Sequence, residues 1–233
     1  MNHLNINTSS LIKFKKNNPR KVDLANKLLN LSGLVCDIFL QTKFESFHQH
    51  LLIQDIFRNF RESLLFCMRS EPQSALSMAR IAAESSRYLL RMLDDPTLTE
   101  LYSKGRKEKE NRKRWRKEFK FKDEESALLF LYNIGSDYGI HSAMPIPDKL
   151  TSVTNVMGRN FTLFNQKEHS KEVFILVMLI MHLTMSDFIT SARKEIEKDE
   201  KTTALGAQFA KEWNKLLLDL NKQKNILRKE PKL

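Results

Sequence analysis

Glycine and proline are scarce in this chain, six of each in 233 residues, and cysteine is scarcer still, with two. So few glycines exclude a Gly-rich phosphate loop and argue against a fold crowded with tight turns. Collagen-like and linker-type chains are excluded on the same ground. Cys36 and Cys67 lie in helix-like apolar stretches with no second Cys or His at ligand spacing. A secreted disulfide scaffold would be denser in cysteine, so both read as small buried hydrophobes in a reducing compartment. Long apolar runs are also missing. The most hydrophobic, Val173–Leu183, is interrupted by His182 and followed by Ser186 and Asp187, whereas a span needs about 20 apolar residues. It is expected to be a buried helix, not a membrane span. Met1–Ser10 has no apolar core of signal-peptide type. The expectation is a cytoplasmic protein.

Catalytic signatures are absent in the same way. There is no Cys-x2-Cys, no His-Glu-x2-His, no Gly-x-Ser-x-Gly and no Walker or dinucleotide glycine pattern. His48 and His50 would sit about 200° apart on a helix, a poor geometry for chelation. No metal and no cofactor are expected.

What is present is helical. Hydrophobic residues make up 41% of the chain, enough for a real core at this length. Residues 1–17 are polar, Asn-rich and without period, and read as a flexible N-terminal arm. Asn18-Pro19 pairs an N-cap with proline at the first helical position. Leu52, Ile56, Phe60, Leu64 and Cys67 recur at helical spacing in a second helix. Ser70-x2-Gln73 reads as a capping box opening a third helix to about Leu93. Asp95-Pro96 opens a fourth, interrupted at Gly105. Asp123 would cap a fifth, ending at Gly135 by the C-terminal preference for glycine.

Residues 136–169 are irregular and hold Phe161–Phe164, the best strand candidate. A long apolar helix from Ser170 to about Glu197 and an amphipathic one from about Thr203 complete the chain. The fold class is all-α: one domain over 18–229, a bundle of six or seven helices with a short irregular or hairpin insert near 136–169.

Two polar features stand out. On the third helix Arg80, Glu84, Arg87 and Arg91 fall within about 60° of arc at 100° per residue. The rest of its circumference is apolar or small. If this stripe is covered, its charges need partners, and one carboxylate cannot answer three arginines. If it faces water, the pairs contribute little. Downstream, Ser136, Asp137, Tyr138 and His141 crowd into one short turn, where His141 could lock the irregular segment onto the bundle through Glu84 or Asp137.

Arg80-x3-Glu84, Asp95-Pro96 and Ser136-x4-His141 together resemble a bacterial family of uncharacterised all-helical proteins. Its members carry an Arg-x3-Glu helix and a Ser-x3-His-like turn, and are often compared with HEPN-type domains. Here the Ser-to-His gap is one residue longer. The resemblance covers roughly residues 50–195. It implies a HEPN-like architecture and, by extension, a metal-independent ribonuclease or defence toxin using Arg80 and His141. HEPN ribonucleases carry Arg-x4–6-His on one helix, and none of the six histidines here has an arginine at that spacing.

The second feature is charge. The chain nets +11, and residues 104–122 alone hold eleven Lys and Arg against three Glu, a local +8. Trp115, Phe119 and Phe121 interleave with these cations, a composition suited to phosphate neutralisation and base stacking. On a helix, however, Trp115 and Phe119 share a face and could equally anchor the segment to the bundle. The leading expectation is non-enzymatic binding of RNA or DNA through Lys107, Lys109, Arg112, Lys113, Arg114, Trp115, Arg116 and Lys117. A helical module for a protein partner or homodimer is the third reading, and it predicts an exposed apolar patch on the last helix.

Overall fold

A computed structural model describes residues 6–42, 47–105, 109–122, 126–136, 154–156, 159–161 and 169–227. In chain order the elements are α1 (Ile6–Asn17), α2 (Pro19–Gln41), α3 (Phe47–Met68), α4 (Pro72–Asp94), α5 (Leu98–Lys104), α6 (Lys109–Glu118) and α7 (Ser126–Ile134). A short ladder, β1 (Thr154–Val156) with β2 (Arg159–Phe161), precedes α8 (His169–Ser191), α9 (Arg193–Ile196) and α10 (Glu200–Leu227). The all-α bundle is as expected.

Ten helices replace six or seven among the described residues, the additions being α1, the basic α6 and the four-residue α9. The arm expected over 1–17 is corrected by α1 for residues 6–17, and residues 1–5 lie outside the described residues. Phe14 is buried there, its ring centroid 5.1 Å from that of Phe174, and Leu11, three residues earlier, packs beside it. Two apolar side chains one turn apart suffice to dock a mostly polar helix whose Ile12 stays exposed.

The centre is built from α2, α3, α4 and α8, with α1 against α3, α7 against α4 and α10 against α2. Helix α8 is apolar nearly all round, which a helix can be only when enclosed. Its stretch Val173–Ser191 has the length and composition of a membrane span, but 67% of it is buried inside the bundle. It is the core helix.

Helix α4 folds back on α3 through Arg69, Ser70 and Glu71. Ser70 adopts φ 64°, the Ser70 amide donates to the Cys67 carbonyl at 3.0 Å, and the Glu71 amide donates to Phe66 at 2.9 Å. These two bonds form a Schellman ending for α3. Ser70 therefore terminates one helix instead of capping the next, and the capping box is corrected. Glu71 takes the cap position with Pro72 behind it, and no side-chain cap bond forms. Asn18 does precede Pro19 at the start of α2, but its side-chain amide donates backward to Phe14 O at 3.2 Å. Gly105 ends α5 with φ 67°, as expected of a C-terminal glycine.

The strands lie inside the expected insert, paired antiparallel with Thr154 opposite Phe161. Of the segment Phe161–Phe164 only Phe161 belongs to a described strand.

His182 of α8 is fully buried, stacked on Trp213 of α10 with centroids 4.5 Å apart, and neither ring nitrogen has a hydrogen-bond partner. Burial pushes its pKa from 6.5 down to about 4. Between those values the unfolded chain binds a proton that the folded chain refuses. Stability is therefore fully present above about pH 6.5, falls as the pH drops towards 4, and levels off below. The expected loss is about 3 kcal/mol. Denaturant midpoints for wild type and His182→Leu across this window check it: the variant's profile should be flatter, and parallel profiles would contradict the assignment.

Candidate functional site

Helix α4 carries the charged stripe, and the structure covers it. Helix α7 lies over one end and residues 119–122 over the other. Relative side-chain exposure is 22% for Arg80, 24% for Glu84, 12% for Arg87 and 6% for Arg91. The choice left open by the sequence is settled: these charges have been taken largely out of water and need partners.

The partners come from three places. Arg80 Nε donates to Ser136 Oγ at 2.8 Å, and that hydroxyl donates to the Tyr132 carbonyl at 2.8 Å. The Arg80 guanidinium also lies 4.9 Å from the Tyr132 ring centroid. Arg87 lies against three rings, with Cζ 4.3 Å from the Phe121 centroid, 4.9 Å from Tyr88 and 5.8 Å from Tyr132. Arg91 Nη2 donates to the Lys120 carbonyl at 3.0 Å and Nη1 sits 3.8 Å from Asp94. Glu84 lies 3.9 Å from Arg80 Nη2 and 3.6 Å from Arg87 Nη2, and accepts a hydrogen bond from the Tyr88 hydroxyl. Arg80, Glu84, Arg87 and Ser136 thus form one group, and Arg91 belongs to a separate one with Asp94. Asp137 and His141 lie outside the described residues.

Gly135 makes the contact between α7 and α4 close enough for this. A Cβ built there would lie 2.5 Å from Arg80 Cβ and 2.5 Å from the Leu76 carbonyl oxygen. Among described glycines only Gly105 has positive φ. Gly135 therefore serves close approach and not the left-handed ending expected of it. Residues 135–136 continue α7 in a wider π-type turn, which delivers Ser136 to Arg80.

The basic segment forms α6, with six cations against two carboxylates in KENRKRWRKE, net +4. Trp115 is 7% exposed and its ring lies 5.4 Å from Tyr88, 5.4 Å from Tyr102 and 4.6 Å from Phe119. It anchors α6 to α4 and α5. The expectation that Trp115 stacks on bases is corrected, since a ring enclosed by three others presents no free face.

The anchoring dictates which residues point away. At 100° per residue Lys109, Arg112, Lys113, Arg116 and Lys117 occupy about 140° of arc, with Lys113 and Lys117 farthest from Trp115 and Arg112 flanking the buried side. All five are exposed, as is Arg114 on the flank. Lys107 lies outside the described residues. Beyond α6, Lys120 and Lys122 are exposed too, and Lys122 Nζ meets Asp94 at 2.8 Å.

The aromatic frame of the arginines was partly legible. Tyr88 stands four residues from Glu84 on the same helix face, but Tyr132 and Phe121 reach α4 only through tertiary packing. Burial pushes the Cys36 thiol up to about 11 and Cys67 further up, which disfavours the reactive thiolate at both. Among the described residues no group of three or more His, Cys, Asp or Glu is placed to hold a metal. Compared with protein families, curated proteins and solved structures, this chain matches none.

Proposed function

We propose that this protein is a non-enzymatic, cytoplasmic binder of nucleic acid, engaging the phosphate backbone of RNA or DNA with the outer face of α6. One observation carries the reading: the anchor is buried while the cations of the same helix point away from it into solvent. Trp115 and Phe119 are buried while Lys109, Lys113, Arg116 and Lys117 all face solvent. The carboxylates Glu110 and Glu118 fall about 20° and 100° beyond Lys117, bordering the face on that side, and Glu118 lies 3.6 Å from Lys117 Nζ. A row of cations bordered by acid along one edge only still suits phosphate neutralisation, and contacts to phosphate imply little sequence preference.

The test is a charge-neutralised variant, Lys113→Gln/Arg116→Gln/Lys117→Gln, compared with wild type on a single-stranded RNA and a DNA duplex at low salt. More than tenfold weaker binding with an unchanged melting temperature is expected. Equal affinity would overturn the reading.

A second reading, an HEPN-like ribonuclease or toxin, has one observation in its favour. Arg80, Glu84 and Ser136 meet across α4 and α7, immediately before the segment that carries His141. It requires metal-independent RNA cleavage that is lost in His141→Ala. The interaction-module reading gains little from residues 200–219 of α10, where Leu218 is the one large hydrophobic side chain that is exposed.

A further inference from the structure

We infer that Arg80 and Arg87 form a clamp for a phosphate group, a second anion site distinct from α6 and not dependent on the reading proposed for it. The argument begins with charge. Among the described residues each of the two guanidiniums has Glu84 as its only carboxylate, at 3.9 and 3.6 Å. Charge-assisted hydrogen bonds run at about 2.7–2.9 Å, so neither arginine is closely paired. Glu84 is moreover shared with the Tyr88 hydroxyl. The pair with its carboxylate carries one net positive charge, and side-chain exposures of 22% and 12% mean that water answers little of it. Charge held away from water in this way calls for a counter-ion.

Geometry then says where the counter-ion goes. Both guanidiniums lie beside the ring of Tyr132, at 4.9 and 5.8 Å, and the Nη2 atom of each is the one nearest Glu84. The two forks therefore converge on the Glu84 carboxylate, with which an incoming anion would compete. The donors are undercommitted. Arg80 spends its Nε on Ser136, while Arg87 Nε is buried with no hydrogen-bond partner among the described residues. Phe121 and Tyr88 against Arg87 hold the planar group in place and lower the local dielectric. Two oriented arginine forks in an apolar frame match a tetrahedral oxyanion, whose several oxygens each accept from a separate N–H. Residual exposure of Arg80 and Glu84 leaves solvent a way in.

The shared chemistry is the phosphate group, whether free, terminal on a nucleotide, or in a nucleic-acid backbone. The experiment is a titration of the full chain with inorganic phosphate at constant ionic strength, read by melting temperature and by phosphorus NMR line width. Wild type is expected to gain several degrees and to broaden the phosphate line. Arg87→Met keeps the aliphatic packing between the rings and should abolish both effects; Arg80→Lys, which keeps charge but loses the fork, should weaken binding about tenfold. Glu84→Gln removes the competing carboxylate and should tighten it, an outcome a purely structural network would not produce.

The α6 triple variant should retain the phosphate response. If it loses the response, the anion was meeting α6 and the clamp is overturned. Equal gains in wild type and Arg87→Met, or no tightening in Glu84→Gln, would overturn it as well. Repeating the titration with a nucleoside monophosphate and with a blocked dinucleotide identifies the source: preference for the monophosphate marks a terminal phosphate, and equal binding marks a backbone.

Discussion

Trp115→Ala is expected to lower stability by about 3–5 kcal/mol, the range for truncating an enclosed large aromatic side chain. The indole touches Tyr88 of α4, Tyr102 of α5 and Phe119 just past α6, and these four rings form a closed cluster. Removing its centre leaves a cavity that the others cannot collapse into without moving α6. Because α6 is otherwise so polar, it has little else to hold it: Trp115 is the one buried residue it contributes. Denaturant unfolding measures the cost. Trp115→Phe separates anchoring from stacking. Phenylalanine refills most of the volume, so the variant should keep nearly wild-type affinity for nucleic acid. If Trp115 were a stacking platform, the alanine variant would instead remain stable and lose affinity, at about 1–3 kcal/mol per stacked base.

Gly135→Ala should be nearly as severe, by about 3 kcal/mol, and its sign runs against helix propensity. In a helix interior glycine to alanine normally stabilises, by up to about 1 kcal/mol. Gly33 in α2, where an added Cβ meets nothing within 4 Å, should show that gain. At Gly135 the same methyl meets the Leu76 carbonyl oxygen and Arg80 Cβ at 2.5 Å, both too close to the α4 backbone to swing aside. Helix α7 must lift from α4. Overpacking of this kind costs about 1–3 kcal/mol. The displacement also stretches the 2.8 Å bond from Arg80 Nε to Ser136, a bond to a charged donor worth about 1.5–3 kcal/mol. Paired unfolding curves for the two alanine variants, one raised and one lowered, check the account. A stabilised Gly135→Ala would show that α7 does not rest on α4 at this point.

The helices were legible where periodicity was strong. The spacing of Leu52, Ile56, Phe60 and Leu64 marks α3, and the unbroken apolar composition of 173–183 marks α8. Helix α1 escaped because its four apolar residues, Ile6, Leu11, Ile12 and Phe14, make no sustained period, and the value of Phe14 emerges only once Phe174 stands opposite. Ser70 was misread for a different reason: Ser-x2-Gln fits a cap at the start of a helix, and a serine in the left-handed region at the end of one leaves no sequence signal.

The candidate site divides the same way. The arc of Arg80, Glu84, Arg87 and Arg91 follows from helix geometry alone. That Ser136, Tyr132 and Phe121 close over it depends on how α7 and residues 119–122 fold back, which local patterns do not encode. Trp115 was recognisable as either anchor or platform, and only the positions of Tyr88, Tyr102 and Phe119 decide between them.

Affinity for a nonspecific DNA duplex as a function of salt is the measurement closest to the central claim. If Lys109, Lys113, Arg116 and Lys117 each neutralise a phosphate, log K should fall against log salt with a slope near about −4, at about 0.9 per contact. The triple variant at Lys113, Arg116 and Lys117 should flatten it to about −1, while Trp115→Phe leaves it unchanged. Identical slopes for wild type and the triple variant would mean that phosphates are met elsewhere or not at all, and the role given to α6 would fall.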